Sequence, residues 1–175
     1  VLYSQGVPVG KFKKIRIQGV DYVMDHLEDL SLTIEECRTK VMFSCHCFTE
    51  EYKEGRTPDL TYRHKNEKRI FSIERHRLSE QLPPLISTLG NTSVYHTRKE
   101  SFFFARTMEE KPYVVFFRAY KAESKDFHVI VNVESAYPKQ NMTDFGAPVK
   151  FPTVIRCAAQ GRTPPTGRPV QIKRK

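Results

Sequence analysis

Apolar residues recur at every second position through much of the first half of the chain. Ile15 and Ile17, then residues 20–27, then Leu30, Leu32 and Ile34 predict two or three short strands, broken at Gly19 and at Glu28-Asp29. Val41, Phe43, Cys45 and Cys47 alternate with Met42, Ser44, His46 and Phe48. Successive side chains of an extended segment point to opposite faces, so this stretch predicts a strand with one apolar side and His46 on the other. Gly55 and Pro58 mark residues 53–60 as a loop, and residues 62–73 predict a hairpin turning near Lys65-Asn66.

The period then changes. Leu78, Leu82, Leu85, Ile86 and Leu89 fall on one side of a helix. Pro83-Pro84 either bends that helix or sits in the first turn of its regular part, with Gly90-Asn91 closing it. Four strands are expected next, over residues 93–97, 101–106, 113–120 and 127–137. The last two are densest in Val, Ile, Phe and Tyr, and short polar connections favour antiparallel pairing. A final edge strand is expected over residues 150–158. The fold class is therefore α+β, with predominantly antiparallel sheet and one principal amphipathic helix.

A chain of 175 residues matches one domain. Gly6, Pro8 and Gly10 make residues 1–10 a flexible arm, residues 11–159 the globular β-rich domain, and residues 160–175 a basic tail rich in Pro and Gly.

Charge alters the picture more than size does. The formal net charge of +9 favours polyanions such as RNA through counterion release, although it also serves solubility. Cysteines stand at 37, 45, 47 and 157, without the second Cys or His pair that a finger-type zinc site needs, so no metal and no cofactor is expected. So few cysteines in a chain of this length suit reduced thiols in the cytoplasm. No apolar run approaches the roughly 20 residues that span a bilayer.

Metal-free RNA cleavage needs a base for the 2′-hydroxyl proton, an acid for the leaving oxygen and a fixed cation for the phosphorane charge. Six histidines are available, at 26, 46, 64, 76, 96 and 128. His26, beside a turn, and His46, between two thiols, are the candidates for acid and base; each also suits a purely structural role. Glu74-Arg75-His76-Arg77 is the densest charged cluster and lies where strand gives way to helix. Arg75 and Arg77 could hold phosphate there, with Ser79 near a helix N-terminus that welcomes anions. Phe127, Val129, Val131, Val133, Ser135 and Tyr137 should share one face, leaving the two hydroxyls at its rim beside Lys139. Phe102-Phe103-Phe104 reads as core.

The pattern of a helix followed by four antiparallel strands ending in Val131-Asn132-Val133-Glu134-Ser135-Ala136-Tyr137-Pro138 resembles the core of the barnase, EndoU, colicin and RelE group of small ribonucleases over residues 75–140. The chain also looks like a group of small bacterial proteins associated with mobile elements, around residues 20–27, 45–49, 74–83 and 135–137. The first likeness implies roles for Ser135 and Tyr137; His26, His46, Arg75 and Arg77 enter on chemical grounds alone. The β-rich first 70 residues depart from the compact ribonuclease core.

The leading expectation is a toxin-like endoribonuclease working through a 2′,3′-cyclic phosphate without metal. His26 or His46 would act as base or acid, Arg75, Arg77, Ser79, Ser135 and Lys139 would contact RNA, and Tyr137 would position the substrate. The alternatives are a noncatalytic nucleic-acid-binding or phage-defence module, and a protein interaction module whose basic tail docks an antitoxin or other acidic partner.

Overall fold

The computed structural model describes residues 10–55, 58–97, 101–142 and 145–165. Residues 1–9 of the expected arm and 166–175 of the expected tail lie outside that set. Tight two-residue turns shape the first half. β1 (Ile15–Ile17) and β2 (Val20–Tyr22) form an antiparallel ribbon across Gln18-Gly19, and β3 (Leu30–Ile34) pairs with β4 (Cys37–Phe43) across Glu35-Glu36. Both residues of each turn have positive φ, as the right-handed twist of a two-residue hairpin requires. The strand expected over residues 20–27 ends at Tyr22, and Asp25–Leu27 is a single 3-10 turn with Leu27 fully buried.

β4 also ends earlier than its alternation predicts. At Ser44 the side chain accepts a hydrogen bond from the His46 amide, and Thr49 Oγ1 donates to the Cys45 carbonyl. These local bonds fold Cys45–Cys47 into a 3-10 turn, so His46 does not face away from the cysteines across a strand. β5 (Thr49–Glu51), β6 (Thr61–His64) and β7 (Glu67–Phe71) form a small sheet in the order β5-β7-β6. Phe48 fastens it, with edge contacts to Phe12 at 5.1 Å and Tyr62 at 5.1 Å.

The principal helical region is broken in two. α1 (Ile73–Ser79) begins sooner than the leucine spacing suggests, because Ser72 caps it by accepting from the Arg75 amide. α2 (Leu82–Ser87) restarts with Pro83-Pro84 in its first turn, where the missing amides cost nothing. Leu78, Leu82, Ile86 and Leu89 are all buried.

β8 (Ser93–Thr97), β9 (Phe102–Met108), β10 (Lys111–Lys121), β11 (Val129–Pro138) and β12 (Phe145–Lys150) complete the main sheet, whose order is β12-β8-β9-β10-β11-β4-β3. Every pairing is antiparallel except β11 with β4. The class is α+β, as expected. His128 precedes β11 and is exposed, with its Nδ1 accepting from the Arg38 amide.

The expected last strand over residues 150–158 is instead mostly helix, α3 (Phe151–Ala159). Phe151, Val154, Ile155 and Ala158 turn one stripe inward against β10, and Pro152 falls in the first turn. Among the described residues no helix is long and apolar enough to cross a membrane.

Candidate functional site

β4 stops opposite Val133, while β11 runs on to Pro138. Among the described residues the end of β11 thus has no strand partner on that side, and α1 and the Cys45–Cys47 turn pack there. Just before this stretch the β10–β11 ladder slips: Phe117 pairs with Val133 but Phe116 pairs with Ser135, so Glu134 is a bulged residue. The slip overturns the expectation that Ser135 and Tyr137 share the face of Val129, Val131 and Val133. Ala136 continues that buried face instead, and Tyr137 lies on the other with Phe116.

The consequence is a row of rings across four adjacent strands. Tyr95 stacks on Phe103 at 5.3 Å, Phe103 meets Phe116 at 5.9 Å, and Phe116 stacks on Tyr137 at 5.7 Å. Arg75 reaches over from α1, placing its guanidinium 4.7 Å from the centre of the Tyr137 ring. Its Nη1 donates to the Thr49 carbonyl at 2.7 Å, and its Nε lies 3.9 Å from Glu50 Oε1. Burial pushes its pKa down and the Glu50 carboxylate opposes the shift. Lys139 Nζ lies 5.8 Å from the centre of the Phe116 ring. The bond from its backbone amide to the Pro112 carbonyl fixes the chain just past β11.

His26 belongs to a second neighbourhood. Its Nε2 is 2.8 Å from Ser79 Oγ, while Ser79 Oγ donates to the His76 carbonyl at 2.6 Å. With the serine proton committed, His26 Nε2 is the donor, which leaves Nδ1 as the lone-pair nitrogen of the neutral ring. Burial lowers the His26 pKa, and the nearby His76 lowers it further. His76 donates from Nε2 to the Val23 carbonyl at 2.7 Å, its ring perpendicular to His26 at 5.3 Å. Both rings line a cavity of about 560 Å3 that also includes Val23, Ile73, Arg77 and Glu80.

Arg77 grips Glu109 with both terminal nitrogens, and that carboxylate raises its pKa. Ser79 stands at the end of α1, fully buried, so it marks no helix start and exposes no hydroxyl to an anion. His46 falls in a third place, its Nε2 2.6 Å from Glu67 Oε2.

The predicted residues therefore form three groups. His26 and Arg77 share the cavity, with Ser79 behind His26. Tyr137 and Lys139 lie against Phe116, Arg75 lies over the Tyr137 ring, and Ser135 faces Phe116 across the ladder. His46 joins neither, and the cavity lining includes none of His46, Arg75 or Tyr137. Sequence reasoning placed His76 in a charged cluster without giving it a role; its position three residues before Ser79 on one short helix was the available signal.

The fold and these sites define a basic α+β domain with a cation-flanked aromatic row on its main sheet. The profile of the YjaZ family matches residues 14–159, and the chain belongs to that family. No curated protein and no solved structure matches it.

Proposed function

We propose that this protein binds single-stranded RNA at the Arg75–Tyr137–Phe116–Lys139 end of the main sheet. The observation that carries this reading is the pair of cations flanking a stacked ring pair, Arg75 at Tyr137 and Lys139 at Phe116. Cations set over aromatic rings, with a tyrosine hydroxyl beside them, suit a flexible phosphate backbone with splayed bases. The net charge of +9 adds long-range attraction. Titration of a fluorescent single-stranded RNA across a salt series should show affinity that falls steeply as salt rises. It should weaken in Lys139→Ala and in Tyr137→Leu. Affinity indifferent to salt, or unchanged in the double variant, would reject the reading.

A second reading, RNA cleavage in the cavity, rests on the tautomer of His26. A neutral imidazole that donates from Nε2 to Ser79 keeps Nδ1 able to take a proton. In such a reaction Nδ1 accepts the 2′-hydroxyl proton, the 2′-oxygen bonds to phosphorus as the bond from phosphorus to the 5′-oxygen breaks, and that oxygen takes a proton from water, giving a 2′,3′-cyclic phosphate. This is the chemistry of the ribonuclease group that residues 75–140 resemble. Incubation with RNA in EDTA should yield cyclic-phosphate ends with the wild type and none with His26→Gln. Intact RNA in both leaves the binding reading alone.

A further inference from the structure

The turn at Cys45–Cys47 and the start of β7 bring together three side chains that the RNA reading does not use. Cys45 Sγ, a ring nitrogen of His46 and a carboxylate oxygen of Glu67 all lie within 4.8 Å of one another. We propose that this triad is a binding site for a zinc-class divalent cation.

Three observations support it. The donor set is mixed: a thiolate selects against the hard cations calcium and magnesium, whereas thiolate, imidazole and carboxylate together suit zinc. Its spacing also fits. A tetrahedral ion with bonds of about 2.0 to 2.3 Å holds its ligand atoms roughly 3.3 to 3.7 Å apart, so the widest pair, at no more than 4.8 Å, closes by little more than an ångström at most while His46 Nε2 and Glu67 Oε2 open from 2.6 Å. The room to move falls where closure needs it, because Cys45 is buried in the turn while the side chains of His46 and Glu67 are 34% and 53% exposed.

Binding replaces the His46–Glu67 hydrogen bond of 2.6 Å and releases the Cys45 thiol proton to solvent. Arg69 Nη1, 3.7 Å from Glu67 Oε2, competes for the carboxylate, but Arg69 also has a second anchor, its Nε donating to Thr49 Oγ1 at 2.7 Å. Three protein ligands, two of them open to solvent, leave the fourth position for water or an incoming donor, as in metal sites that do chemistry. Finger-type cysteine spacing could not reveal this arrangement, since Glu67 enters 21 residues after His46 and only the turn and β7 bring them together.

Titration of the full chain with Co2+ as the spectroscopic probe tests the site. One equivalent should produce a thiolate-to-cobalt charge-transfer band that Zn2+ displaces. Glu67→Gln, at an exposed position outside the core, should weaken binding by at least the roughly 10- to 100-fold typical of losing an outer-shell partner. Cys45→Ser should abolish the band, while Cys157→Ser should keep it. No band, a band that persists in Cys45→Ser, or equal affinity in Glu67→Gln would overturn the assignment.

Discussion

The guanidinium of Arg75 sits 4.7 Å from the centre of the Tyr137 ring while one of its nitrogens holds the Thr49 carbonyl. One side chain thus joins α1, the small sheet and the end of β11. Arg75→Lys keeps a charge but loses both the planar stacking and the fixed fork. It should lower stability by roughly 1 to 2 kcal/mol, less than the full sum of a desolvated cation–π contact and a charged hydrogen bond because the ammonium keeps part of each. Urea unfolding of the two proteins measures this; a loss well under 0.5 kcal/mol would mean that the contact is not held in solution.

Among the described residues the side chain of Lys139 has no such anchoring duty, and its ammonium lies near Phe116. Its removal should leave folding unchanged and act on the RNA backbone alone. Each phosphate contact to a single strand contributes about 0.7 to the slope of log affinity against log salt. Lys139→Ala should therefore flatten that slope by up to about 0.7, equally for RNAs of different sequence, as read in parallel titrations.

Much of this architecture can be read from the residues, and the failures have local causes. The strands of the second half announce themselves through Val, Ile and Phe, and Phe102-Phe103-Phe104 is core as its continuity suggests. Three misreadings share one origin, a local hydrogen bond or proline that outweighs alternation. Ser44 and Thr49 curl the Cys45 segment, Ser72 starts α1 early, and Pro152 opens a helix where an edge strand was expected. The Glu134 bulge is subtler, since a one-residue slip sends Tyr137 to the other face and no composition signals it. Grouping of the candidate residues is set by long-range packing. His26 meets Ser79 across 53 positions, a pairing that no periodicity encodes.

The turn between β3 and β4 offers a test of stored backbone strain. Glu36 holds φ of 66°, in the left-handed region where a Cβ is disfavoured. Glu36→Gly should stabilise the protein by up to about 1 kcal/mol, less what the unfolded chain gains in freedom. A rise in melting temperature with an unchanged denaturant slope is the expected result, and a fall would show that the side chain makes contacts that offset the strain.

His26 gives the acid limb of stability a direction. Burial depresses its pKa in the folded state, and burial likewise depresses that of His64. Below the ordinary histidine value of about 6.5 the unfolded chain binds more protons than the folded one. The stability that these groups contribute is present above that value and is lost as pH falls towards their folded pKa values. His26→Gln can still donate an N–H to Ser79 but does not titrate, so it should lose less stability than wild type over this window. Parallel urea curves at neutral and mildly acidic pH decide it; identical acid losses would remove His26 as a contributor.

Tyr113 carries a hydroxyl that is buried and has no hydrogen-bond partner among the described residues. Burial drives its pKa upward, which keeps the phenol neutral, and Cys47 adds to the shift. A buried hydroxyl without a partner costs about 1 to 3 kcal/mol of desolvation, whereas its ring contributes apolar burial in either case. Tyr113→Phe removes the cost and keeps the ring. It should be neutral or stabilising by about 1 kcal/mol in urea unfolding, and Tyr113→Leu should destabilise by leaving a cavity. A Phe variant less stable than wild type by more than about 1 kcal/mol would mean that the hydroxyl finds a partner in solution, with the nearby Arg75 and Cys47 as the first groups to test by double-mutant cycles.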